Sequence, residues 1–118
     1  MPIYSINVDR TNLSVCEGNL TFSVDGAVKF TTPCWEDPGN LISAKTYTGC
    51  STTIMDTKGF ESVYLPDSQT GKTGIFIHKG SNPGDSDGCI VCAAARVKEI
   101  YDTVPHNKGN ITVKVANR

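Results

Sequence analysis

Residues 74–92 read Gly-Ile-Phe-Ile-His-Lys-Gly-Ser-Asn-Pro-Gly-Asp-Ser-Asp-Gly-Cys-Ile-Val-Cys, and this stretch decides the fold. Its first five residues form an apolar run that ends at His78 and has the length of a buried central strand. The ten residues from Lys79 to Gly88 include three Gly, one Pro, two Asp and two Ser, a composition typical of a loop. We therefore predict a strand that ends at His78, followed by a loop that leads to Cys89.

A helix is predicted over about residues 89–104. Apolar residues recur there at intervals of four, three, four and three, which is the spacing of one helical face: Ile90, Ala94, Val97, Tyr101 and Val104. Pro105 ends the helix, because the residue before a proline is pushed away from helical ψ. This spacing puts Cys89 at the N-terminus of the helix.

The remaining sequence has the patterns of β-strands. Alternating apolar residues predict strands over 4–8 and 20–24, and the Asp25-Gly26 pair predicts a type I′ hairpin turn into a strand over 27–31. Further strands are predicted at 46–48, 50–55, 60–65 and 110–115. A turn is predicted at 36–39 and a loop at 66–71. We predict one mainly β domain over residues 1–118, a sandwich or flattened barrel with one helix in its C-terminal half.

The composition argues against several classes of protein. The 118 residues carry a formal net charge of −1, whereas binders of nucleic acid or anionic membranes usually have a basic face. No apolar run approaches the ~18 residues of a membrane span, and residues 1–10 do not resemble a signal peptide. The five cysteines are an odd number, so we expect a reducing compartment and small buried thiols at three positions: Cys16, Cys34 and Cys50.

The predicted end of the strand at His78 and the predicted start of the helix at Cys89 suit a nucleophilic cysteine. A thiolate at a helix N-terminus is stabilised by the helix dipole, which predicts a lowered pKa for Cys89. His78, at the end of a rigid strand, is placed to take the thiol proton and return it. The backbone N–H groups of Asp87, Gly88 and Cys89 are predicted to hold an oxyanion, with Ser86 shaping the loop.

Residues 76–91 resemble the active-site signature of the L,D-transpeptidase (YkuD-like) superfamily, which is a histidine, a loop and then Ser/Thr-His-Gly-Cys. Asp87 stands where that signature has its second histidine, and Val91 stands where larger members often carry arginine. Upstream, Trp35-Glu-Asp-Pro and Ser43-Ala-Lys-Thr-Tyr47 resemble segments of compact members found in small phage proteins and type VI secretion effectors. In the second segment, Lys45 replaces a position that tends to be glycine.

The resemblance implies an L,D-transpeptidase-like fold and an enzyme acting on the stem peptides of bacterial peptidoglycan. Cys89 would attack the carbonyl that follows the L-centre of the third stem residue and form a thioester. His78 would act as base and then as acid, with the backbone carbonyl near Lys79 orienting its imidazole. An amine acceptor would give transpeptidation or exchange, and water would give carboxypeptidase or endopeptidase cleavage. Neither a cofactor nor a metal is implied.

The resemblance also implies a setting. We expect synthesis in the bacterial cytoplasm without a signal peptide, and action at the cell wall or periplasm after phage lysis or secretion as an antibacterial effector. The expected partners are the stem peptide and either a delivery machinery or a cognate immunity protein, with no nucleic acid or membrane.

Three other readings remain open. Cys89-Ile-Val-Cys92 has the spacing of a thioredoxin-like redox centre, although that fold needs βαβ alternation. A zinc site is a second alternative, with the ligands His78, Cys89, Cys92 and His106. The third is a non-catalytic β-rich binding or structural module of a phage or secretion apparatus.

Three aromatic residues are predicted to pack against other side chains rather than to form the wall of a substrate groove: Trp35, Tyr47 and Tyr64.

Overall fold

A computed structural model of the chain describes residues 2–12, 16–37, 39–55, 59–81 and 89–117. The described residues form eight strands and two helices. The strands are β1 (Tyr4–Asn12), β2 (Glu17–Val24), β3 (Ala27–Glu36), β4 (Thr46–Ile54), β5 (Glu61–Leu65), β6 (Ile75–Lys79), β7 (Ile90–Cys92) and β8 (Ile111–Asn117). The helices are α1 (Asp67–Thr70) and α2 (Ala94–Thr103). Within this described part of the chain, the helices lack the length and apolar character of a membrane span.

The strands close into a barrel in the order β1-β2-β3-β7-β6-β5-β4-β8, and β8 returns to pair with β1. Two neighbouring pairs are parallel, β1 with β8 and β6 with β7, whereas the other pairs of this barrel are antiparallel. The prediction of a mainly β domain, a sandwich or flattened barrel with a helix in its C-terminal half, is confirmed.

Alternation along the strands places the core inside the barrel. In β1 the side chains of Tyr4, Ile6 and Val8 are buried, and β2 contributes Leu20 and Phe22 in the same way. Fully burying one such aliphatic side chain contributes roughly 1.5–3 kcal/mol, so a shift of one residue in register would be costly. The alternation therefore determines which face of each strand points inward.

The predicted hairpin turn is confirmed. Asp25 and Gly26 have φ values of 53° and 81°, the two positive values that a type I′ turn requires. The turn joins β2 to β3, and the ladder between them begins with Val24 opposite Ala27.

The predicted helix over 89–104 is wrong at its N-terminal end. Ile90–Cys92 is a fully buried strand that pairs with β3 on one side and with β6 on the other, and the helix begins at Ala94. A short apolar run fits a buried strand as well as a helix, and pairing on both sides decided the outcome. The C-terminal end is as predicted, since Val104 is already extended before Pro105 (φ −98°, ψ 129°).

Two smaller predictions also change. The predicted loop over 66–71 contains the single helical turn α1, which ends at Gly71 in the left-handed conformation (φ 72°). The two strand segments predicted within 46–55 are one strand, β4, with a break in its register between Tyr47 and Cys50.

Three core thiols are held in the protonated form. Burial raises the pKa of Cys34, Cys50 and Cys92 to about 12, well above the ordinary value of 9.0. Cys34 and Cys92 are register partners on adjacent strands, and all three side chains belong to the hydrophobic core. At neutral pH these sulfurs are therefore poor nucleophiles and behave as small apolar groups.

These thiols predict a loss of stability at alkaline pH. A group whose folded-state pKa is raised binds its proton more tightly in the folded protein, so its contribution is complete below pH 9.0 and is lost as the pH rises towards about 12. Each thiol then costs about 1.4 kcal/mol of unfolding free energy per pH unit in that window. Denaturant unfolding between these pH values should show a shallower decline for Cys50→Ala than for the wild type.

Ile77→Val is the matched control, because it truncates a fully buried core residue of β6 without removing a titrating group. Its curve of unfolding free energy against pH should run parallel to that of the wild type at a lower level. A Cys50→Ala curve that also ran parallel to the wild type would contradict the raised pKa.

Candidate active site

Cys89 lies immediately before β7, so the N-terminus of α2 does not act on it as predicted. Its Sγ atom instead contacts the first residues of the neighbouring parallel strand. The backbone N–H of Phe76 donates to the sulfur at 3.4 Å, and the thiol donates to the carbonyl oxygen of Gly74 at 3.6 Å. The N–H directed at the sulfur favours the thiolate form, the role that the sequence assigned to the helix, whereas the Gly74 carbonyl favours the protonated thiol.

Strand geometry puts His78 on the same face as this sulfur. The register pairs Ile77 with Ile90 and His78 with Val91, and Phe76 lies beside Cys89 through its hydrogen bond. Because side chains alternate along a strand, Phe76, His78, Cys89 and Val91 point away from the core that contains Ile77 and Ile90. Cys89 and His78 are therefore diagonal neighbours on two adjacent strands, about 7–8 Å apart at Cα and within reach of an imidazole.

The imidazole of His78 is held in one tautomer. Its Nδ1 lies 2.9 Å from the carbonyl oxygen of Lys79. A carbonyl oxygen only accepts, so Nδ1 carries the hydrogen and the lone pair of the neutral ring is on Nε2. The ring of Phe60 packs against the imidazole with centroids 6.2 Å apart, and the Lys79 ammonium lies 4.3 Å from the centre of the Phe60 ring. Both His78 and Cys89 are only 5% exposed.

A cleft of about 550 Å³ begins beside Cys89 and crosses three strands. Gly74 and Phe76 line it, which are the two residues that contact the Cys89 sulfur. The cleft then follows the register partners Tyr64 and Ser51 across β5 and β4. Its other lining residues among those described are Thr53, Ile54, Met55 and Asn107. The volume is that of a small-molecule or peptide site, and two of its lining residues contact the Cys89 sulfur.

The aromatic residues divide between core and clefts. Tyr47 is fully buried and donates its hydroxyl to the carbonyl of Ser43, as the packing prediction expects. Tyr64, predicted to pack, also forms a wall of the cleft, and Trp35 lines a separate pocket of about 210 Å³. The predicted oxyanion and loop residues Ser86, Asp87 and Gly88 lie outside the described residues.

Sequence reasoning missed Gly74 and Phe76, because both contact Cys89 through backbone atoms. Only the glycine before the apolar run hinted at a special backbone position, and Gly74 does have a positive φ of 71°. The pairing that brings these residues to the sulfur depends on register, which residue type does not reveal.

The family profile of the L,D-transpeptidase catalytic domain (YkuD) matches residues 18–115. This range contains the hairpin, the cleft, His78 and Cys89. The chain belongs to the L,D-transpeptidase catalytic domain family.

Solved structures of L,D-transpeptidases have the same fold. An L,D-transpeptidase from Mycobacterium smegmatis superposes with a TM-score of 0.64 at 18% identity, covering 96% of this chain and 59% of that one. L,D-transpeptidase 1 of Mycobacterium tuberculosis gives a TM-score of 0.55 at 17% identity, covering 95% of this chain and 62% of that one. This chain thus spans about three fifths of the length of either structure. A search of curated protein sequences finds no significant match.

The L,D-transpeptidase fold does not bring together the residues of the redox and zinc alternatives. Cys89 and Cys92 are three residues apart on extended backbone and point to opposite faces, with Cys92 in the core. His106 stacks on Tyr101 at 3.8 Å, with its Nε2 2.8 Å from the Tyr101 carbonyl oxygen. Among the described residues, no three His, Cys, Asp or Glu side chains gather closely enough to hold a metal ion.

Val91, where larger members of the family often carry arginine, is fully buried beside His78 in the ladder. A guanidinium at this position would need a polar partner or a route to solvent. The buried valine therefore places an apolar side chain, and no cation, beside His78 at position 91.

Proposed function

We propose that this chain is a cysteine-dependent acyltransferase or peptidase of L,D-transpeptidase type that acts on peptidoglycan stem peptides. The observation that carries the proposal is that Cys89 and His78 lie on one outer face of two parallel strands, and that Gly74 and Phe76, which contact the Cys89 sulfur, line a cleft. Family membership supports the reaction class. The raised pKa values of Cys34, Cys50 and Cys92 make these core thiols poor nucleophiles at neutral pH, whereas a backbone N–H contacts the Cys89 sulfur.

In the first step, Nε2 of His78 takes the thiol proton and the Cys89 sulfur attacks the substrate carbonyl. The Lys79 carbonyl keeps the hydrogen of the imidazole on Nδ1, so that Nε2 is the atom able to accept. The Phe76 N–H stabilises charge on the sulfur before attack. The oxyanion that forms requires N–H donors, and the prediction for Asp87, Gly88 and Cys89 stands as part of this proposal.

Collapse of the tetrahedral adduct breaks the scissile C–N bond and leaves a Cys89 thioester. The imidazolium of His78 gives its proton to the leaving amine, which departs neutral. In the second half-reaction, His78 removes a proton from an incoming amine or water as that group attacks the thioester, and then protonates the Cys89 sulfur as it leaves. An amine acceptor gives transpeptidation or exchange, and water gives carboxypeptidase or endopeptidase cleavage.

The proposed substrate puts the site of action at the bacterial cell wall. Delivery by a phage lysis system or as a secreted antibacterial effector, with a delivery machinery or an immunity protein as partner, is part of the same proposal. Expression with and without a route out of the cytoplasm would test it, because an intracellular protein without such a route should leave the cell wall intact.

The enzymatic proposal is tested by intact-protein mass spectrometry after incubation with purified disaccharide-tetrapeptides. We expect a mass increase equal to the mass of the donor minus that of the free amino acid that leaves, and trimmed fragments in solution. Adding a D-amino acid in excess should give exchanged stem peptides if an amine resolves the thioester, and only trimmed ones if water does. A carbapenem, which acylates cysteines of this family, serves as a second covalent probe.

Cys16→Ser is the matched control, because it removes a buried thiol whose pKa burial raises. It should form the same adduct as the wild type. A folded wild-type protein that formed no adduct and left every fragment intact would favour a non-catalytic binding module instead.

A further inference from the structure

Two groups that contact the Cys89 sulfur belong to the start of β6, so whatever fixes this segment also acts on the sulfur. Gly74 lies just before the ladder between β5 and β6, whose first pair is Ile75 with Leu65. Its φ of 71° is in the region that glycine enters at little cost and leaves as easily. Gly74 therefore lies at the end of the ladder, where its backbone needs a partner besides strand pairing.

Asp67 supplies that partner. Its Oδ1 accepts a hydrogen bond from the backbone N–H of Gly74 at 3.1 Å. The carbonyl of the same glycine accepts a hydrogen bond from the thiol of Cys89. One carboxylate oxygen is thus separated from the sulfur by a single glycine, and it limits the rotation that would swing the Gly74 carbonyl away.

The same carboxylate also fixes a wall of the cleft. The Tyr64 hydroxyl donates to Oδ1 of Asp67 at 2.8 Å, and the Asp67 backbone N–H donates to that hydroxyl at 3.1 Å. The Tyr64 ring packs against Phe76 with centroids 5.4 Å apart, and both rings line the cleft. Asp67 therefore connects the cleft wall and the sulfur through two separate hydrogen bonds.

We propose that Asp67 is a positioning residue, which orients the Cys89 thiol through Gly74 and the cleft wall through Tyr64. Its significance for catalysis rests on the function proposed above, whereas its effect on the thiol does not. Asp67 lies on the exposed single turn α1, contributes nothing to the core, and is not a catalytic residue.

The test compares Asp67→Ala with Asp67→Asn. Alanine removes the acceptor, while asparagine keeps an oxygen at that position and removes the charge. The readout is the rate constant for alkylation of Cys89 by iodoacetamide, resolved by residue with mass spectrometry at several pH values. We expect Asp67→Ala to speed alkylation about tenfold, because a Gly74 carbonyl that moves away no longer favours the protonated thiol. The scale is that of losing one or two hydrogen bonds. Asp67→Asn should restore the rate to within about twofold, since the acceptor remains.

Tyr64→Phe separates the two connections, because it removes the hydroxyl and leaves the bond between Asp67 and Gly74. It should alkylate at the wild-type rate and raise KM for a stem-peptide donor more than it lowers kcat. The proposal would be overturned if Cys89 in Asp67→Ala were alkylated at the wild-type rate. It would also be overturned if the alanine and asparagine variants changed that rate equally, because this outcome would indicate an effect of charge. Alkylation that spread to Cys34, Cys50 and Cys92 would overturn it as well, since that pattern reports general unfolding.

Alkylation needs no peptidoglycan, so the two proposals fail separately. A wild type that ignores stem peptides while Asp67→Ala speeds alkylation would refute the proposed function and support the positioning role. An active enzyme in which Asp67→Ala leaves the alkylation rate of Cys89 unchanged would support the proposed function and refute the positioning role.

Discussion

Replacing Cys89 by alanine is expected to lower kcat/KM for a stem-peptide donor by on the order of 10⁴-fold or more, the scale seen when the nucleophile of a covalent mechanism is removed. The reason is the loss of the thioester route, because Cys89 carries the sulfur that contacts Phe76 and Gly74. The mass increase produced by donor or carbapenem should disappear as well. Steady-state kinetics and intact mass, measured on the same preparation, check both outcomes.

Cys92→Ala is the matched control, because it removes a thiol only three residues away that points into the core. It should lower the free energy of unfolding by roughly 0.5–3 kcal/mol and keep its activity. His78→Gln should lower kcat/KM by about 10²–10⁴-fold, the usual contribution of a general base, while the Cys89 thiol remains open to slow acylation. Residual turnover by Cys89→Ala at a tenth of the wild-type rate would show that another group is the nucleophile.

Replacing Arg10 by alanine is expected to lower the free energy of unfolding by about 3–5 kcal/mol, as when one partner of a buried ion pair is removed. The Arg10 guanidinium donates to both carboxylate oxygens of Glu36, at 2.7 and 2.8 Å, and both side chains are only 5% exposed. It also donates to the carbonyl of Ile42 at 2.7 Å and to the side chain of Asn117 at 3.3 Å. The pair thus ties β1 to β3, to the segment after β3 and to β8. Equilibrium denaturation measures the loss.

The double variant Arg10→Met/Glu36→Leu identifies the cause. If an uncompensated buried carboxylate accounts for the loss, removing both charges should recover most of the stability, because an apolar pair of similar size often replaces a buried ion pair without cost. A double variant as unstable as Arg10→Ala would attribute the loss to the contacts with Ile42 and Asn117. The exposed pair Lys98–Asp102 on α2 provides the comparison, since Lys98→Ala should leave the free energy of unfolding nearly unchanged.

Much of the strand pattern could be predicted from the sequence, because alternation of apolar residues and the residue preferences of turns act over a few residues. Tyr4, Ile6 and Val8 lie on the buried face that their spacing predicts, and Asp25-Gly26 makes the turn that its residue types favour. Pro105 ends the helical region for an equally local reason. His78 at the end of its strand belongs to this group, since it needed only the apolar run before it.

The surroundings of Cys89 were not readable in this way. Ile90, Val91 and Cys92 are apolar on both faces, and this pattern suits the first turn of a buried helix or a strand with neighbours on both sides. Their pairing with β3 and β6 depends on residues far away in the chain. The same holds for Glu36, predicted in a turn, which ends β3 and binds an arginine 26 residues before it.

The sequence determined the alternating strands, the hairpin, the end of the helix and the presence of a histidine and a cysteine around one loop, since each depends on near neighbours. The closure of the barrel, the parallel pairing of β6 with β7 and the contacts of the Cys89 sulfur with Gly74 and Phe76 came from the folded chain alone. Their free energy comes from burial and register between distant segments, and local preference does not encode it.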